Sequence, residues 1–224
     1  MLKTSPIKQL NNEFYRFQLQ ISQSRVQNIP FFLSQLNKYE KQYKRAGLGE
    51  IFMQKLFEFA QNMQKFEIKD LPGIIFSHLT KQSKILNPKS RERYALEALD
   101  YAQKQGDLIH TLAHLVDLEK IYKQNGETNK YTRTLLKKER ILISICSDYE
   151  GAKNKHKTYS KDCSPLNRYE IELAKTRVEI AKKVYRKNPK LAEAILKKAQ
   201  KTFEQQGRQK EVDFVKLILS EISW

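Results

Sequence analysis

The sequence predicts an all-α protein built from antiparallel helical hairpins, about nine or ten helices stacked as a bundle or a short right-handed array. Two observations carry this. Apolar residues recur at steps of three and four through nearly the whole chain, with no sustained alternation of the kind a half-buried strand needs. Most periodic segments are also bounded by helix punctuation, a Pro or a capping residue at the start or a Gly or Pro at the end.

Taken in order, Ser5-Pro6 opens a first helix with Ile7, Leu10, Phe14, Phe17 and Ile21 as its seam. Pro30 begins a second with Phe32, Leu36, Tyr39, Tyr43 and Ala46, closed by Gly47, and a third follows Gly49 with Phe52, Leu56, Phe59, Met63 and Phe66. A fourth, from Pro72 to Leu86, turns Ile75, Leu79 and Leu86 to one side with Ile74 and Ile85 beside them. Twelve of the 22 Phe and Tyr residues precede Asn87, so residues 1–87 read as an aromatic-cored bundle rather than a stacking platform for a ligand. His78, alone on an apolar helix, reads as a hydrogen-bonded core histidine rather than a catalyst.

Residues 88–150 form a central unit. Its first helix starts near Pro88, places Ala95, Leu99 and Ala102 on one stripe and stops at Gly106. Its second runs from Asp107 to Asn125 with Leu108, Leu112, Leu115, Val116 and Tyr122 inward, and its third from Thr128 toward Tyr149 on Leu135, Leu142, Ile145 and Tyr149. Periodicity then vanishes over residues 151–165, which read as an exposed basic loop. Residues 166–224 resume with a helix on Ile171, Ala174, Val178, Ala181 and Tyr185, then a helix on Ala192, Leu196 and Ala199 ended by Gly207, and a last helix on Val212, Val215, Leu219 and Ile222 with Phe214 and Ile218 alongside. Trp224 caps the last helix or is left for a partner.

The spacing of Ala95, Leu99 and Ala102 recurs at Ala192, Leu196 and Ala199, displaced by 97 residues or close to three periods of about 32 to 34. Leu115, Leu118, Tyr122 and Gly126 fall at the large-apolar, leucine, tyrosine and small-residue positions of a tetratricopeptide motif, although Glu119 and Tyr131 stand where that motif has small residues. Over residues 88–150 and 165–224 the chain therefore resembles a degenerate tetratricopeptide-like helical repeat protein. That resemblance implies a concave face that docks a peptide or helix of another protein.

The formal charge of +17 is uneven. Residues 1–87 carry 13 basic and 6 acidic side chains, residues 88–150 carry 11 and 10, and residues 151–224 carry 18 and 9. Lysine outnumbers arginine 31 to 11, which disfavours base recognition through the bidentate guanidinium fork. A basic surface is nonetheless expected from Lys153, Lys155, His156, Lys157 and Lys161 in the loop, and from Lys182, Lys183, Arg186, Lys187, Lys190, Lys197, Lys198 and Lys201 after it. Such residues neutralise phosphates or acidic partners, or merely solvate a helix face.

One further constellation has chemical content. Asp107, His110, His114 and Asp117, spaced 3, 4 and 3, share a helical stripe, and His110, His114 and Asp117 are a weak candidate metal set. Thr111 stands where a zincin has its glutamate, so the stripe is expected to be a solvated face with a capping Asp and a local His–Asp contact. There is no phosphate-cradling glycine loop and no nucleophile elbow. The expectation is a non-enzymatic, cofactor-free interaction or scaffold protein with a protein partner, the alternatives being a nucleic-acid-associated protein and, remotely, a metal-dependent enzyme. Cys146 and Cys163 form no disulfide framework, and no run approaches the roughly 18 apolar residues of a spanning helix, so the cytoplasm is the expected compartment. A basic amphipathic start of the kind a mitochondrial presequence has is set against by Glu13 and the regular seam.

Overall fold

The computed structural model describes residues 6–24, 29–65, 71–86, 90–155 and 165–222, and among them it contains ten helices and no strand. In chain order these are α1 (Pro6–Ser24), α2 (Ile29–Arg45), α3 (Gly49–Lys65), α4 (Leu71–Leu86), α5 (Arg91–Lys104), α6 (Leu108–Gln124), α7 (Thr128–Lys155), α8 (Pro165–Val184), α9 (Pro189–Gln205) and α10 (Gln209–Ile222). The chain divides into two compact units between Ala102 and Gln103, so most of α5 falls in the amino-terminal unit. Among the described residues no helix is long and apolar enough to cross a membrane.

The turns after α2, α6 and α9 share one construction. At the end of α6 the N–H of Glu127 donates to the carbonyl of Tyr122 (3.0 Å), and at the end of α9 that of Arg208 donates to Phe203 (2.8 Å). Between donor and helix stand Gly126 (φ 71°) and Gly207 (φ 65°). The left-handed conformation that closes each turn is one that only glycine adopts without strain. Both turns are three residues long, which sends the next helix back antiparallel.

In the amino-terminal unit the expected aromatic seam is the core. Phe14, Phe32, Tyr43, Phe52, Phe57 and Phe76 are among the most deeply buried side chains, and their rings meet as tilted or edge-on pairs, such as Phe14 with Tyr43 at 5.8 Å and Phe57 with Phe76 at 5.8 Å. Phe57 also meets Tyr94 of α5 at 5.3 Å, and Arg93 covers the Phe57 ring at 4.3 Å. Tyr94, Ala98 and Tyr101 are buried together with the expected stripe of Ala95, Leu99 and Ala102, so α5 is covered on more than one side. At the other end Ile7 is exposed rather than in the seam. Phe66 and the side chains of Ile85 and Leu86 lie outside the described residues.

A buried carboxylate ties α2 to α4. Glu40 accepts from Lys44 one turn on and lies 2.7 Å from His78 Nε2, while Lys44 Nζ donates to Gln82 at 3.2 Å. His78 is thus a half-buried, hydrogen-bonded residue, as its setting in the sequence suggests. Burial pushes the Glu40 pKa up, but the hydrogen bonds and charges of His78 and Lys44 outweigh it and hold the carboxyl below its ordinary value of 4.5. A depressed folded pKa gives stability that is present above the unfolded pKa and lost as pH falls through the folded one. Melting temperature is therefore expected to drop as pH falls below about 5, and Glu40→Gln is expected to flatten that drop in a circular-dichroism melt series.

In the carboxy-terminal unit α6 packs on α7, α7 on α8, α8 on α9 and α9 on α10. Small residues let the middle pair approach closely. Ala174, Val178 and Ala181 of α8 meet Ala192, Leu196, Ala199 and Phe203 of α9, and Val212, Val215 and Ile218 of α10 complete the cluster. On α10 Ile218 is buried and Leu219 packs, partly buried, against the same cluster, whereas Tyr185 is exposed at the end of α8 instead of closing its seam. Leu135, Leu142 and Ile145 of α7 are buried as expected, whereas Tyr149 is partly exposed and stacks on Tyr169 at 5.8 Å.

α7 runs further than expected. α7 continues through residues 151–155, because one glycine in a helix costs only about 1 kcal/mol and no proline follows it there. Lys153 and Lys155 are thus helical positions, while His156, Lys157, Lys161 and Cys163 lie outside the described residues, as does Trp224.

Candidate functional site

One groove in the carboxy-terminal unit is lined by side chains from all five of its helices and encloses about 400 Å³. Lys138 of α7 forms part of its floor. The spacing 131, 135, 138, 142, 145 puts this lysine in the buried seam of α7, and only 5 % of its side chain is exposed. Its ammonium sits between Glu119 of α6 and Glu172 of α8, 2.7 Å from each. Burial disfavours the charged lysine, but the two carboxylates outweigh burial and raise its pKa above the ordinary value. Three consecutive helices are thereby joined through one ionic group.

Tyr131 and Glu179 build one wall. The buried Tyr131 hydroxyl donates to Glu179 at 3.3 Å, and Lys182 reaches the other oxygen of the same carboxylate at 3.1 Å. Burial, reinforced by the charges of Glu179 and Glu119, drives the phenol well above its usual range. For Glu179 burial pulls the pKa up, and Lys182, Tyr131 and the nearby charge of Lys123 bring it down overall. Glu211 of α10 is bound by Arg208 at 2.8 Å, which lowers its pKa. Lys182 also lies over the Phe214 ring (4.8 Å) and Lys183 over the Tyr131 ring (5.3 Å). Phe214 remains 47 % exposed at the groove.

No protein-family model matches the chain, and no curated protein sequence matches it. The groove is therefore interpreted on its own chemistry.

The expected basic surface is divided among several environments. Lys182 and Lys183 lie over the rings of two groove residues, Phe214 and Tyr131, Arg186 turns back onto Tyr185 (3.1 Å to its hydroxyl), and Lys197 pairs with Glu193 at 2.6 Å. Lys187, Lys190, Lys198 and Lys201 are exposed.

The histidine stripe departs from its expectation in one respect. Asp107 caps α6, accepting from the His110 N–H at 3.0 Å and lying 2.5 Å from His110 Nδ1. Burial works against the Asp107 carboxylate, but the His110 contacts outweigh it and lower its pKa. His114, however, is buried rather than solvated, because the buried arc of α6 takes in Thr111, His114 and Leu118 as well as the expected leucines. His110 is exposed and Asp117 half-buried, and among the described residues no group of three or more His, Cys, Asp or Glu is placed to hold a metal ion.

Proposed function

We propose that the chain is a non-enzymatic scaffold whose carboxy-terminal unit, a tetratricopeptide-like stack of hairpins, holds a peptide or helix of a partner protein in this groove. The observation that carries the reading is Phe214, a large apolar side chain kept 47 % exposed beside a floor of fixed ion pairs. A rigid polar floor orients a ligand, and an exposed ring supplies the apolar contact that holds it. The shifts of Lys138, Glu179 and Glu211 all move these groups away from neutrality, which suits recognition and is opposite to the tuning of a general acid or base.

The test is a photo-reactive phenylalanine analogue at position 214 or, as a control, at Ile143, which is exposed on α7 and does not line the groove. Irradiation in cells is expected to give one defined protein adduct from position 214 and none of that adduct from position 143. The same adduct from both positions, or nucleic acid alone at 214, refutes the proposal.

A further inference from the structure

The groove and its rim bring six cations, Lys123, Lys138, Lys175, Lys182, Lys183 and Arg208, to four carboxylates. Glu119 and Glu172 are bound by Lys138, Glu179 by Lys182 and Glu211 by Arg208, so each groove carboxylate has a cation within 3.1 Å. Three further lysines have no such partner. Among the described residues no carboxylate lies within 4.0 Å of Lys123, Lys175 or Lys183, all of which are exposed. Lys123 and Lys175 line the groove and influence Glu179 and Glu211 only through space, and Lys183 stands on the ring of Tyr131. The three come from α6 and α8, on either side of the Lys138 floor.

From this charge complementarity, and resting on the protein-binding reading above, we infer that the occupant is an acidic segment of a partner protein. Its Asp or Glu side chains meet Lys123, Lys175 and Lys183, and an apolar side chain on the same segment packs on Phe214. A nucleic acid suits the groove less well. A nucleic-acid strand carries a charged phosphate at every nucleotide, and the four groove carboxylates would repel part of any such uninterrupted line. Successive bases would need a succession of open rings, and the groove offers Phe214 alone, since Tyr131 is buried beneath Lys183. An acidic peptide can instead space its charges to fall on the three lysines alone.

The experiment titrates the whole protein into three fluorescent probes. One is a synthetic amphipathic peptide of about 15 residues, four helical turns, with Glu on one face and Leu on the other. The second replaces its Glu by Lys, and the third is an oligothymidylate of equal charge. The Glu/Leu peptide is expected to bind most tightly and to weaken as salt rises. Lys123→Ala/Lys175→Ala/Lys183→Ala is expected to lower its affinity about tenfold, three modest ion pairs taken together. Lys198→Ala/Lys201→Ala, which removes exposed charge from α9 away from the groove lining, is expected to leave it unchanged. Equal binding of the Lys/Leu peptide, tighter binding of the oligothymidylate, or unchanged affinity in the triple variant overturns the inference. A protein adduct at position 214 that forms equally well in the triple variant would overturn it too, while leaving the scaffold reading intact.

Discussion

Replacing Lys138 by alanine is expected to destabilise the carboxy-terminal unit by about 3 kcal/mol, the scale for removing one member of a buried ionic group. The cost arises less from the attraction that is lost than from what remains. Glu119 and Glu172, 20 % and 38 % exposed, would face each other across the vacated space with no cation between them. The partial exposure of Glu172 lets water recover some of the loss, which keeps the expected value at the lower end of the range for buried pairs. Neutralising the whole group tests this account. Glu119→Gln/Lys138→Met/Glu172→Gln leaves no uncompensated charge and is expected to restore most of the stability, because an apolar stem fills the space the lysine held. Hydrogen exchange at the amides of α7 and α8 in the intact chain reads both variants. Unaltered protection in Lys138→Ala would mean that the ionic group contributes little to holding the helices together.

Phe57→Ala is expected to cost about 4 kcal/mol, in the range for emptying a fully buried aromatic site. Phe57 is inaccessible to solvent and reaches Phe76 on α4 and both Tyr94 and Arg93 on α5. A cavity there cannot close without moving rings that themselves touch others, as Phe76 touches Tyr101 at 6.4 Å. The loss should appear as faster hydrogen exchange in α3, α4 and α5 together. If α5 alone retained its protection, its packing into the amino-terminal core would not be what stabilises it.

The helical architecture was legible because its signals are local. A step of three and four sets which face is buried, and a Gly or Pro sets where the helix stops, so Gly47, Gly106, Gly126 and Gly207 each close a helix where the sequence places its end. Misjudged positions depend on neighbours distant in sequence. His114, expected in a solvated stripe, is buried because its helix is covered over a wide arc, which the periodicity of a single helix does not reveal. The groove was hidden for a related reason, since its lining converges from five helices. One sign of it was nonetheless present: Lys138 occupies a seam position between Leu135 and Leu142, where a charged residue requires compensating charges from elsewhere in the fold.

The glycine turns bear on the composition of the whole chain. A turn that requires only a left-handed glycine and a main-chain carbonyl donates no structural task to the side chains around it. Outward positions on the helices then need only be compatible with water, and they can drift in charge without altering how the hairpins close. A net charge of +17 is tolerable on such a framework because shape and charge are specified by different residues. Binding preference could be rewritten on the surface while the architecture stayed as it is.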